Sequence, residues 1–246
     1  MRHYEKSNPE KPEFISLQKI VEENDVSFAG QIRDAGINYK KEEGVFLPIS
    51  FFVIVSGGEI REKNYFHKIR NKDKYRRIKI EFITDPTQLN PDGMLETALC
   101  KQERYESSHT DTPDKIFIVS DVDHFYNDLL RIKPECEKAD ISLIINNPCF
   151  EIWLYYGKIN SKPIDFVIPD DKLKISQLFK TYLGTKVTGG VNPIKAIYDI
   201  SVAIKNAKDN YKEDTKSIPK LFSTNMFLLA EDIMPLIDIE LKVMNV

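Results

Sequence analysis

The stretch IFIVSDVDHF, Ile116–Phe125, is a short apolar run that ends abruptly in two aspartates one residue apart. Its length and its Ile, Val and Phe content read as a strand buried on both faces, the hallmark of a parallel sheet covered by helices. Three further runs have strand character: PISFFVIVS (Pro48–Ser56), RIKIEFIT (Arg77–Thr84) and ISLIIN (Ile141–Asn146). Helical patterns lie between them. Glu62, Tyr65, Phe66 and Ile69 fall at i, i+3, i+4 and i+7, one stripe of a helix. Pro91–Tyr105 reads as a second helix, and FYNDLLRIKPECEKA as a third, bent or divided at Pro134. Strands alternating with helices imply right-handed crossovers, hence an α/β fold: a four-stranded, mainly parallel sheet flanked by helices.

Beyond Pro148 the pattern is helical, near 170–183, 192–211 and 221–240. In NPCFEIWLYY, Asn147 reads as a helix N-cap and Pro148 as the first helical residue. The expected organisation is an N-terminal extension over 1–45, an α/β core over 46–147, and a helical C-terminal region over 148–246 packed on that core.

The 246 residues carry 35 basic and 38 acidic side chains, a net charge of −3, so no strongly basic domain announces nucleic acid. A local patch, KIRNKDKYRRIK (Lys68–Lys79), leaves such a substrate open, although a solvated helix end is the commoner origin of a charge run. Three scattered cysteines without CxxC spacing fit a reducing compartment, and four dispersed histidines form no zinc motif. The polar N-terminus and the lack of a long apolar run predict a cytoplasmic protein with no membrane partner.

Ligands of open parallel sheets bind at the carboxyl ends of the strands. Asp121 and Asp123 occupy one such end. If the extended conformation continues, they point to one side with Cα atoms about 6.6 Å apart. Carboxylates that close repel unless a cation lies between them, and all-oxygen donors suit Mg²⁺ or Mn²⁺. The plainer reading is that Asp121 ends a strand while Asp123 caps the next helix. At the other strand end, Gly57 and Gly58 permit a tight turn and close approach of a phosphate to a helix N-terminus. Glu59 and Glu62 follow; the helix dipole favours acids there and accounts for Glu59, whereas Glu62 shares a stripe with Tyr65 and Phe66 and is harder to dismiss. Glu151 is equally ambiguous in its own first turn, and His124 reads as a surface histidine or a phosphate contact.

Taken in order, three blocks resemble the RloB family, which includes the AbiLii-type abortive-infection proteins, and through it the Toprim fold. The family pattern is a strand followed by EGExTExxYF, a strand ending in DxD, and a strand followed by NPxFExWLLLH. The corresponding stretches are VIVSGGEIREKNYF, IFIVSDVDHF and LIINNPCFEIWLYYGK, within a match over roughly 48–240. The resemblance implies Mg²⁺- or Mn²⁺-dependent phosphodiester chemistry. Asp121 and Asp123 would be the metal ligands, Glu59 and Glu62 would complete a catalytic set, and Glu151 and Asn147 belong to the third block. Lys68, Arg76, Arg77 and His124 are the candidate contacts to substrate phosphates. Two positions depart from the pattern: Gly57 stands where the family has its first Glu, and Gly157 where it has the His after WLLL.

Two functions follow. One is a nuclease effector of phage defence that cleaves RNA or DNA, encoded beside an ABC/SMC-type ATPase partner. The other is a catalytically impaired binding or regulatory subunit of such an ATPase complex, favoured by Gly57. A haloacid-dehalogenase-type phosphatase also uses DxD, but there the pair follows the first strand. Self-association into a homo-oligomer stays open.

Overall fold

The computed structural model describes residues 49–70, 77–85, 87, 90–108, 112–188 and 190–244. The expected N-terminal extension lies outside the described residues, as does Arg76.

Strands β1 (Ser50–Ser56), β2 (Ile78–Ile83), β3 (Lys115–Asp121) and β4 (Ile141–Asn147) are mutually parallel, and a two-residue β5 (Ser223–Thr224) runs antiparallel. The spatial order is β2-β1-β3-β4-β5. The α/β class and mainly parallel sheet therefore match the expectation, with one strand more. β5 hydrogen-bonds along β4, with Asn146 opposite Thr224 and Asn147 opposite Ser223.

The period of two along each strand sorts the core into two layers. Phe51, Val53, Val55, Ile116 and Ile118 face α2 (Pro91–Ser108) and α3 (Tyr126–Lys138), where Met94, Leu95, Leu129 and Ile132 are buried. Phe52, Ile54, Phe117, Val119 and Ile144 face the other way. They pack with Tyr65, Phe66 and Ile69 of α1 (Arg61–Arg70), the stripe read from the sequence. The same layer takes in α4 (Glu151–Tyr156), α5 (Ile175–Lys186), α6 (Pro193–Ala196), α7 (Ile200–Asn210) and α8 (Met226–Met244). The C-terminal helices thus share one apolar layer with the sheet. Among the described residues, no helix is long and apolar enough to cross a membrane.

Two local expectations are corrected. Asn147 is not a helix cap: it is the last residue of β4, its side-chain amide donating to Pro219 O at 2.7 Å, and α4 begins only at Glu151. Pairing with Ser223 keeps Asn147 extended where capping would have ended the strand earlier. Pro134 does not divide α3, which runs continuously from Tyr126 to Lys138.

Candidate acidic site at the strand ends

The carboxyl ends of β1 and β3 and the start of α4 open onto a cleft of about 590 Å³. Among the acidic side chains that line it, Glu62, Asp121 and Glu151 come from three chain segments. Glu62, in the first turn of α1, is 8% exposed, and Glu151, in the first turn of α4, is 1% exposed. Asp121 ends β3 and is half-buried overall.

Each reaches this place for a local reason. Gly57 and Gly58 turn the chain from β1 into α1, with Gly58 N–H donating to Ser56 Oγ at 3.1 Å. The Glu62 side chain then folds back over Gly58 so closely that a Cβ at position 58 would fall on the carboxylate. Glu151 is drawn in because Ile152, Trp153 and Leu154, on the same short helix, anchor in the core.

The electrostatics are those of desolvated like charges. Burial pushes the Glu62 carboxyl up to about 7, and the Glu151 charge pushes the same way. Asp121 is held well above the ordinary carboxylate range, first by burial and then by Glu62 and Glu151. Burial also pushes the neighbouring Cys149 thiol up, reinforced by Glu151 and Asp121. Asp121 Oδ1 and Asn146 Nδ2, on facing strand positions, are both buried, and neither makes a hydrogen bond of good geometry.

Two cations partly offset the negative charge. Arg61 Nε lies 3.0 Å from Glu151 Oε1, and Lys180 Nζ lies 3.7 Å from the same oxygen. Neither contact gives Glu151 Oε1 a well-formed hydrogen bond. Lys180 comes from α5, whose Ser176 one turn earlier donates to Asp123 Oδ1 at 3.2 Å and to Pro148 O at 3.4 Å. One face of α5 is therefore tied to both the acidic base and its rim.

The remaining candidates divide by position. The extended conformation does not continue past Asp121: Asp123 has a φ of +31°, is exposed, and sits at the cleft rim near His124, whose Nδ1 is 3.4 Å from Asp123 Oδ2. Nor does Asp123 cap α3, whose first turn receives no side-chain cap. Glu59, Gly57 and Gly58 line the cleft, and Glu59 is exposed. Arg77 precedes β2 at the amino end of the sheet, about 20 Å along the strands from the cleft. Its Nε is buried without a hydrogen-bond partner. Lys68 belongs to α1, and nothing is described of its side chain. Sequence reasoning missed Arg61 and Lys180 and gave Glu151 no role beyond its motif. Arg61 adjoins Glu62 and could have been suspected; Lys180 carries no local signal.

The donor set is all oxygen, with two buried carboxylate oxygens lacking good hydrogen bonds, which is the chemistry hard divalent ions select. Among the described residues, no three His, Cys, Asp or Glu side chains converge as a preformed metal cage. Sites that leave several waters on the ion, as Mg²⁺ sites do, need no such cage.

An open, mainly parallel α/β sheet with buried acids at its strand ends defines the class: a strand-end acidic-site protein. The family model for RloB-like proteins matches residues 52–233, most of the chain, and the chain belongs to that family. No curated protein and no solved structure matches it.

Proposed function

We propose that this protein is a Mg²⁺- or Mn²⁺-dependent, Toprim-type nuclease that acts as an effector of phage defence, with an ABC/SMC-type ATPase as its partner. The observation that carries the proposal is that buried Glu62 and Glu151 line one cleft with Asp121, whose Oδ1 is also buried, at the carboxyl ends of the strands. Desolvated carboxylates are expensive to hold unless protons or cations neutralise them. Arg61 and Lys180 are the only two side chains ion-paired to Glu151 among the described residues, and neither pairs with Asp121.

Asp121, with Glu62 or Glu151, would hold the divalent ion, and Asp123 stands at the rim of the same cleft. A bound divalent ion supplies Lewis-acid polarisation of a phosphoryl oxygen and a lowered pKa for a coordinated water. In the metal-free site burial pushes Glu62 up to about 7; where Asp121 and Glu151 take the ion, Glu62 is the carboxyl left to take or give a proton, the role of a general acid/base. Arg61 and Lys180 place positive charge where a phosphodiester gains negative charge in the transition state. His124 and Glu59 line the mouth and orient the incoming strand.

The test is cleavage of labelled RNA and DNA with Mg²⁺ or Mn²⁺, run beside Asp121→Asn and Glu62→Gln. Metal-dependent cleavage lost in both variants supports the proposal. No cleavage by the wild type, together with no metal-induced thermal shift, defeats it. Gly57 favours a second reading, in which the same fold serves as a non-cleaving subunit: glycine offers no carboxylate where the family pattern has one. A metal-induced thermal shift without cleavage would support that reading.

A further inference from the structure

A second charged cluster lies on the sheet edge beyond β4. An isolated antiparallel bridge pairs Glu213 with Pro219, which sets Lys212 directly opposite Lys220; Lys220 N–H donates to Lys212 O at 2.8 Å. Like charges facing each other on neighbouring strands are destabilising, with Cβ atoms about 5 Å apart. A third lysine joins them. Lys162 Nζ lies 3.5 Å from Ser223 Oγ, the hydroxyl that accepts from Lys212 N–H at 3.2 Å, and Ser223 N–H donates to Lys220 O. The Lys162 ammonium and the backbones of Lys212 and Lys220 thus meet at one serine, the charges of Lys212 and Lys220 act on Lys162, and among the described residues none of the three forms an ion pair.

The acids nearest in the chain are committed elsewhere. Glu213 accepts from Tyr211 Oη at 3.1 Å, and Asp214 accepts from Tyr126 Oη at 2.5 Å and from the Lys216 and Ile218 N–H groups. Burial lowers the pKa of Lys162, and the charges of Lys212 and Lys220 lower it further. The fold therefore concentrates positive charge here, with no acid ion-paired to it among the described residues.

The cluster is placed to serve the acidic cleft. Ser223 pairs with Asn147, and Asn146 faces both Thr224 and Asp121. Ser223 is then about two strand spacings, roughly 10 Å, from Asp121. A groove of about 590 Å³ shares Asp123 with the acidic cleft and is lined by Tyr126, Asn147 and by Leu221, the residue after Lys220. A stacked strand advances about 3.4 Å per phosphate, so roughly three nucleotides span the gap.

We infer that Lys162, Lys212 and Lys220 form a phosphate-binding site that grips the backbone of a nucleic-acid strand whose neighbouring phosphodiester lies over the acidic cleft. The choice of nucleic acid rests on the function proposed above; the site itself rests on the three lysines. Backbone contacts of this kind fix register without reading sequence.

The experiment uses the full chain carrying Asp121→Asn, to prevent cleavage, with fluorescein-labelled single-stranded 20-mers of RNA and DNA read by anisotropy between 50 and 200 mM salt. Inorganic pyrophosphate is added as a competitor in a separate arm. The triple change Lys162→Gln, Lys212→Gln, Lys220→Gln is expected to weaken strand binding about tenfold or more at low salt. It should also reduce the slope of log affinity against log salt by about 2, three contacts at about 0.7 each. The same triple change in the wild-type background should leave the Mg²⁺-induced thermal shift intact.

An unchanged affinity and slope in the triple variant overturns the inference. So does a parent protein that binds neither strand, or that binds pyrophosphate alone. Strand binding that depends on the lysines in a protein that never cleaves leaves this inference standing and removes the nuclease proposal. Cleavage by the wild type with binding indifferent to the lysines does the reverse.

Discussion

Lys180 Nζ lies 3.7 Å from Glu151 Oε1, so a helix far along the chain supplies positive charge to a carboxylate buried at the carboxyl end of the sheet. The contact makes α5 part of the acidic site. The Lys180 side chain is 45% exposed, so the ion pair is screened and its worth is that of a partly solvated pair, roughly 1 kcal/mol. Lys180→Met is expected to lower the melting temperature by about 2–4 °C at pH 8. At pH 5 Glu62 is protonated, which removes part of the negative charge that faces Lys180, and the loss should be smaller. Thermal melts of both proteins at the two pH values check this.

Glu62 dictates a pH dependence of the metal-free protein. Its folded pKa, about 7, lies above the unfolded value near 4.5, so between those values the folded state binds more protons than the unfolded one. Its contribution to stability is complete below about pH 4.5 and is lost as pH rises through 7. A shift of this size corresponds to roughly 3 kcal/mol. Asp121, also raised, acts with the same sign. Urea unfolding of the EDTA-treated protein should show stability declining from pH 5 to pH 8, and Glu62→Gln should flatten the decline.

Divalent ions should reverse that trend. An ion bound to the ionised carboxylates stabilises only the folded state, by about 2.7 kcal/mol at a hundred times its dissociation constant. Protons compete for the same oxygens, so the Mg²⁺- or Mn²⁺-induced thermal shift should be larger at pH 8 than at pH 5.5. Asp121→Asn should abolish it. A shift that is equal at both pH values, or that survives in Asp121→Asn, would place the ion elsewhere.

Much of the scaffold for these effects was legible in the residue pattern. β1 and β3 are continuous apolar runs because helices cover both sheet faces, and the stripe Tyr65, Phe66, Ile69 marks the buried side of α1. Asp121 and Glu62 were visible because strand ends and first helical turns are readable positions. What stayed hidden depends on tertiary closure. β5 is a two-residue Ser-Thr segment with no hydrophobic period, held by side-chain hydrogen bonds that no local rule anticipates. Lys180 looks like any exposed helical lysine until α5 docks. Asp123 looked like the partner of Asp121 only while the strand was assumed to continue; its positive φ turns it out to the rim.

Gly58 provides a test confined to one atom. Its backbone is not in a glycine-only conformation, but a Cβ would occupy the space of the Glu62 carboxylate. Gly58→Ala should displace that carboxylate while leaving the core untouched. Misplacing a catalytic group by about 1 Å costs on the order of 10²-fold in rate. The metal-dependent cleavage proposed above should fall by about that factor, and the pH 5 to pH 8 decline in stability should weaken as Glu62 regains water. Unchanged cleavage and an unchanged pH profile would mean that Glu62 has no part in the chemistry.

Asn225 joins the two charged regions, because it fastens β5 to the edge of the sheet. Its Oδ1 accepts from Ile145 N–H at 2.6 Å, and its Nδ2 donates to Leu143 O at 3.1 Å. Next to it, Thr224 Oγ1 donates to the buried Asn146 Oδ1 at 2.7 Å. Asn225→Ala leaves a partly buried N–H and C=O without these partners, at about 1–3 kcal/mol each. A destabilisation of roughly 2–6 kcal/mol is expected in urea unfolding. Hydrogen exchange should show the Ile145 amide losing protection while Ile54 and Ile118, in the central strands, keep theirs. Ser223 precedes this anchor by two residues, so the lysine-dependent affinity for labelled strands should fall in Asn225→Ala as well. The Mg²⁺-induced thermal shift, which depends on β1, β3 and α4, should persist. Loss of both together would show that the sheet edge is one cooperative unit and that the two charged regions cannot be uncoupled by loosening β5.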